Sequence, residues 1–176
     1  HPIVRTSDGS ICCMEAMLRW KHPVKGLVHP EPFIRLAEST GMIVPIGEWA
    51  LMTACKQLAD WRADGFTDLR IAVNLSTRQL QQGGLVTMVL NCLDVTGLPA
   101  SALVFELDET SATESGVDAV RQLAELRTLG AAISIDDFGP GFSSLSYLKH
   151  FPVDTLKIDQ LFVKCLPENQ HDAAIA

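Results

Sequence analysis

The sequence predicts an α/β fold: a parallel sheet covered by helices, and a barrel in preference to an open doubly wound sheet. Three observations carry this. Continuous apolar runs of strand length recur along the chain, as expected for strands buried on both faces. Segments of helical period separate them, the alternation that builds parallel sheets. No G-x-G-x-x-G follows any run, which disfavours the dinucleotide-binding version of the open sheet.

The elements follow in order. Ile3-Val4, the turn residues Ser7-Asp8-Gly9-Ser10 and the run Ile11 to Met14 read as a short hairpin. Pro32 to Ser39 is a helix with Phe33, Ile34, Leu36 and Ala37 apolar, closed by Gly41 as its C-cap. Glu48 to Trp61 is a second, with Trp49, Met52, Leu58 and Trp61 on a shared face and Gly65 after it. Strands are expected at Ile71 to Val73 and Leu103 to Phe105. A third helix, capped by Thr110 with Ser111, should run through Val120, Leu123, Ala124 and Leu126 to Gly130. Ala131 to Ile135 and Thr155 to Ile158 complete the strands. No repeat, low-complexity tract or linker interrupts the pattern, so residues 1–176 read as one domain.

Composition narrows the function. The 176 residues are 47% hydrophobic and 20% charged, with a net charge of -7, which excludes disorder. No run nears eighteen apolar residues and no basic segment precedes an apolar stretch at the start, so neither a membrane segment nor a signal peptide is expected. Scattered Lys and Arg on an acidic chain argue against duplex nucleic acid as a partner, and a single small phosphate ligand stays open. Five cysteines without a C-x-x-C pair read as core fillers in a reducing, cytoplasmic setting.

The informative feature is the polar residue that follows each apolar run: Glu15, then Asn74, then Glu106, then Asp136 with Asp137, then Lys157 and Asp159. In a parallel barrel those strand ends share one face, so groups far apart in sequence converge. Crowded carboxylates raise one another's pKa unless a cation sits among them. Oxygen donors without converging His or Cys suit Mg²⁺ or Mn²⁺. Singly, Glu15 reads as a helix cap, Asn74 as a turn residue and the Asp pair as loop chemistry. Together they point to metal-assisted phosphoryl or hydrolytic chemistry.

These residues sit in a series of motifs. Glu15-Ala16-Met17-Leu18-Arg19-Trp20, Val73-Asn74-Leu75-Ser76, Phe105-Glu106-Leu107-Asp108-Glu109, Asp136-Asp137-Phe138-Gly139-Pro140-Gly141-Phe142-Ser143-Ser144-Leu145 and Leu156-Lys157-Ile158-Asp159 resemble, in order and spacing, the signatures of the EAL domain family. The resemblance implies a modified TIM (β/α)8 barrel that hydrolyses the signalling nucleotide cyclic di-GMP to linear pGpG. It implies a first metal on Glu15, Asn74, Glu106 and Asp136, and a second helped by Asp137 and Asp159. Such a pair polarises the phosphate, activates water and offsets charge on the leaving oxygen. Lys157 would steady water or phosphate, Arg19 would fork onto a non-bridging oxygen, and Glu109 would fix the loop Phe138 to Ser144. A homodimer and a fused GGDEF or sensory domain are the partners it implies.

Four departures qualify it. Met17 replaces the usual leucine, a volume-conserving change. Asp108 replaces a usual threonine beside a ligand, so it is expected either to strengthen metal binding or to misplace Glu106. Pro140 fixes one φ and removes a donor in the loop. The family's later Glu-Gly-Val-Glu motif has no match here, and a TIM barrel typically needs about 250 residues. With His1 at the start and Asp172-Ala-Ala-Ile-Ala176 reading as a first helical turn, the chain is expected to be a C-terminally incomplete EAL domain lacking the last strands and helices. These residues alone are then expected not to turn over substrate. The alternative is a catalytically inactive cyclic di-GMP sensor or interaction module.

Overall fold

The computed structural model describes residues 1–114, 116–139 and 151–164. Pro140, Gly141 and the loop on to Ser144, Cys165 and the turn at 172–176 lie outside them. Strands β1 (Pro2–Val4) and β2 (Ile11–Ala16) form the expected hairpin. A second small hairpin, β3 (Trp20–His22) with β4 (Gly26–Val28), stands apart from the main sheet. Then come α1 (Glu31–Thr40), α2 (Ile43–Ala63), β5 (Arg70–Asn74), α3 (Thr77–Gln82), α4 (Leu85–Thr96), β6 (Leu103–Asp108), α5 (Glu109–Glu114), α6 (Gly116–Thr128), β7 (Ala132–Phe138), β8 (Thr155–Ile158) and α7 (Gln160–Val163). Among the described residues the sheet order is β1-β2-β5-β6-β7-β8. Every pair from β2 to β8 is parallel, and the sheet curls into part of a TIM-like barrel with the helices outside.

Side-chain alternation divides the sheet into two faces. Ile71, Val73, Leu103, Phe105, Leu107, Ile133 and Ile135 pack outward on Leu51 and Leu58 of α2, Val89 of α4 and Leu123 and Leu126 of α6. Each such side chain, fully buried, contributes about 1.5–3 kcal/mol. The inner face holds the smaller cluster Cys13, Ala72 and Val104, and beyond it come the polar groups. Cys12, Cys13, Cys55 and Cys92 are free thiols, and burial pushes Cys55 up to about 12 and Cys13 up to about 11.

Gly41 caps α1 in the left-handed conformation, φ 81°, as its position in the sequence requires. Three details differ from expectation. Helix α2 starts at Ile43 rather than Glu48, because Pro45 falls in the first turn, where a missing N–H leaves nothing unpaired. The third helix is two helices, α5 and α6. Its cap is not Thr110 or Ser111 but Asp108, whose carboxylate accepts from Ser111 N at 2.6 Å and Ser111 Oγ at 3.1 Å. Strand β6 runs on to Asp108, so the helix begins at once and Ser111 lands three residues inside it. Residues 77–96, to which the pattern assigned nothing, form α3 and α4. The first carries a capping box between Ser76 and Gln79. The second opens with Val86, Thr87 and Val89, β-branched residues that suit a strand as well as a helix.

Ser134, on the inner face of β7, is 2% exposed, and its Oγ has no hydrogen-bond partner among the described residues. An unsatisfied buried hydroxyl costs about 1–3 kcal/mol. Ser134→Ala is therefore expected to raise the urea midpoint at unchanged m-value, by about 1 kcal/mol of stability. A lower midpoint would mean that the hydroxyl has a partner, such as an ordered water.

Candidate active site

The strands carry their polar groups within the ladder rather than after it. Parallel register places Asn74 beside Glu106, Glu106 beside Ser134 and Asp108 beside Asp136, while Glu15 pairs with Ala72. All of these belong to the inner-face set, so residues separated by up to 142 positions meet at the C-terminal ends of the strands. Lys157 Nζ, reaching in from β8, lies 2.8 Å from Asp136 Oδ2, 3.0 Å from Glu106 Oε2 and 3.5 Å from Glu15 Oε2. Asn74 Nδ2 donates to Glu15 Oε1 at 3.1 Å. One oxygen from each of Glu15, Glu106 and Asp136 lies within 4.8 Å of the others.

Burial and charge oppose each other here. Glu106 is 1% exposed; burial raises its pKa, the Lys157 hydrogen bond and charge lower it, and the balance is upward. For Lys157 burial disfavours the charge, but its hydrogen bonds to Asp136 and Glu106 outweigh this and hold it protonated above the ordinary lysine value. Asp137 is raised by burial and then by the charges of Asp136 and Asp159.

Consecutive strand residues normally face opposite ways. Between Ile135 and Phe138, β7 advances three residues while β8 advances two, from Leu156 to Ile158. The extra residue is a β-bulge. Asp137 sits there at φ 51°, the non-glycine residue with positive φ among the described residues. The bulge frees Asp137 from the helix-facing side, and both aspartates line one groove. Asp137 N–H donates to Asp136 Oδ1 at 3.0 Å.

The groove encloses about 680 Å³ and also takes Glu15, Asn74, Arg19 and Asp108 into its wall. Arg19 donates to Leu18 O at 2.7 Å. Asp108 stands outside the three-oxygen cluster, and both its oxygens accept from Ser111. Asp159 caps α7, accepting from Leu161 N at 2.7 Å, and stands outside the cluster as well. Glu109 is buried and its Oε2 accepts from Gly139 N at 3.2 Å, so it holds the start of the loop after the aspartates.

The sequence reading missed two parts of this site. The apolar wall from Met17, Pro30, Ile34 and Trp49 depends on how α1 packs on α2 and α2 on β5, which periodicity does not encode. The link from α3 to α5, Thr77 Oγ1 donating to Ser111 Oγ at 2.7 Å, was signalled only by the capping-box pattern at Ser76.

The donor set fits a hard divalent cation. It consists of three carboxylate oxygens, one from the almost wholly buried Glu106, with the Asn74 amide beside Glu15.

Comparison with known proteins agrees. The family profile described as EAL domain matches residues 1–176. The chain is 45% identical over 175 residues to the bifunctional diguanylate cyclase/cyclic di-GMP phosphodiesterase MucR of Pseudomonas aeruginosa, covering 99% of this chain and 26% of that protein. It is 41% identical over 176 residues to the cyclic di-GMP phosphodiesterase NbdA of the same organism, covering 100% and 22%. It thus spans about a quarter of the length of such relatives. A solved structure of the MucR phosphodiesterase in complex with c-di-GMP superposes with a TM-score of 0.91 at 45% identity, covering 99% of this chain and 70% of that one. With the profile spanning the whole chain and the fold matching at that level, this protein belongs to the EAL domain family.

Proposed function

We propose that the protein of which these residues form the EAL domain hydrolyses cyclic di-GMP to pGpG with Mg²⁺ or Mn²⁺. The observation that carries this is the cluster of Glu15, Glu106 and Asp136 around Lys157 Nζ, with Asn74 alongside. Relatives named as cyclic di-GMP phosphodiesterases and a neighbour solved with c-di-GMP support the substrate.

Glu15, Asn74, Glu106 and Asp136 would hold one ion, and Asp137 with Asp159 would contribute to a second. Bound there, the ions supply Lewis-acid polarisation of the phosphate and a lower pKa for the attacking water. Lys157, kept protonated by Asp136 and Glu106, offers a positive charge to water or phosphate at the mouth of the cluster. Arg19, on the groove wall, would exchange its bond to Leu18 O for a fork onto a non-bridging phosphate oxygen. Glu109 steadies the loop after the aspartates through Gly139. Water adds to phosphorus and the P–O3′ bond breaks with a proton passing to O3′, which leaves the 5′-phosphate of pGpG. A homodimer, a fused GGDEF or sensory domain and a cytoplasmic setting belong to the same reading; the free cysteines support the last. Among the described residues no helix is long and apolar enough to cross a membrane.

The test is chromatography of nucleotides after incubating the full-length protein with cyclic di-GMP. The expected result is pGpG with Mg²⁺ or Mn²⁺ and none with Ca²⁺, whose looser, higher coordination suits this chemistry poorly. Cyclic di-GMP bound but unchanged in every metal would assign the protein to sensing instead.

A further inference from the structure

The bulge that presents Asp136 and Asp137 stores strain, since an aspartate at φ 51° is held outside the broad allowed regions. Something downstream must keep the chain in that state. Three contacts meet there. Asp159 N–H donates to Phe138 O at 3.1 Å. Glu109 Oε2 accepts from Gly139 N. The ring of Phe162, from α7, occupies the space beside Gly139 where a β-carbon would overlap two ring carbons and crowd a third. Gly139 itself is at φ 131°, a conformation that L side chains rarely adopt.

The glutamate on one side and the ring on the other form a clamp. The hydrogen bond fixes where the Gly139 N–H points, and the ring fills the space into which the peptide would move if the bulge relaxed. Phe162 also ties α7 to the same point, and Asp159 is the cap of that helix. One aromatic side chain thereby links the residue after the aspartate pair on β7 to the helix that Asp159 caps. Phe162 lies between Leu161 and Val163, which are 59% and 50% exposed, and turns its ring to Gly139.

We infer that Phe162 is a positioning residue for the aspartate bulge, acting through Gly139 to hold Asp136 and Asp137 in the arrangement in which both line the groove. This rests on the metal-dependent reading above. A merely structural Phe162 would move stability alone; a positioning Phe162 moves metal affinity.

The experiment is calorimetric titration of the full-length protein with Mn²⁺, alongside thermal melts in EDTA, for wild type, Phe162→Ala and Phe162→Leu. Residues that orient metal ligands typically contribute about 10–100-fold in affinity. Phe162→Ala is expected to weaken Mn²⁺ binding by about tenfold or more, with Phe162→Leu recovering most of it because a branched side chain still covers Gly139. Phe162→Ala binding Mn²⁺ as tightly as wild type would overturn the inference and leave the metal site standing. Wild type failing to bind Mn²⁺ would overturn the metal-dependent reading and this inference with it. Equal weakening in both variants would also count against it, since the effect would then not follow coverage of Gly139.

Discussion

Glu15→Ala is expected to remove turnover of cyclic di-GMP while leaving the fold in place. Glu15 supplies one of the three clustered carboxylate oxygens and is the acceptor for Asn74, so its loss takes away one ligand and unseats another. Electrostatic stabilisation by a bound metal is worth several kcal/mol in the transition state, and losing it corresponds to a fall in kcat on the order of 10³ or more. Stability should change little. Glu15 lies on the inner face away from the main core and is the most distant of the three acids from Lys157, at 3.5 Å. Its removal also takes away the repulsion that it exerts on Glu106, which offsets the lost ion pair. A thermal midpoint within about 2–4 °C of wild type, equivalent to about 1 kcal/mol, is the matching structural result. A variant that turns over at the wild-type rate would take Glu15 out of the metal site.

Lys157→Met should have the largest effect on stability. Removing the ammonium leaves Glu106, 1% exposed, and Asp136, 25% exposed, without their shared partner. Breaking one side of a buried pair costs about 3–5 kcal/mol. Lys157 keeps 27% exposure, and Glu106 can take up a proton to shed its charge, so about 2–4 kcal/mol is expected in EDTA. The pH dependence has a definite sign. The folded-state pKa of Lys157 is raised, so the lysine's contribution is complete below its unfolded value of about 10.4 and fades only as pH climbs through the folded one. Between pH 7 and 9 the lysine's own titration therefore adds no pH dependence, whereas a Glu106 that takes up a proton in the variant makes the penalty grow as pH rises, because the same carboxyl is ionised in the unfolded chain. Saturating Mn²⁺ should return part of it, because a cation that binds only the folded state stabilises by mass action. Urea unfolding with and without Mn²⁺ checks both parts; a Lys157→Met protein as stable as wild type in EDTA would show that the carboxylates do not depend on the lysine.

The family and the outline of the fold were legible before any coordinates. The strands expected from Ile71, Leu103 and Ala131 are short apolar runs because both of their faces are covered. Glu15, Asn74, Glu106, Asp136 and Lys157 were legible as a convergent set because strand ends in a parallel barrel share a face, a rule of topology that linear order is enough to apply.

Tertiary structure alone decided what periodicity and composition do not encode. That Asp108 caps α5 and stands outside the carboxylate cluster depends on how far β6 runs before the helix starts. That Asp136 and Asp137 line one groove depends on a bulge defined by pairing with β8. That Phe162 rests on Gly139 depends on where α7 is carried after that strand. Side-chain type and local spacing determine which element a segment prefers and which face it buries. The direction of a carboxylate, the register of a neighbouring strand and the ring that covers a glycine are set by contacts between residues distant in sequence, and these exist only once the chain has folded.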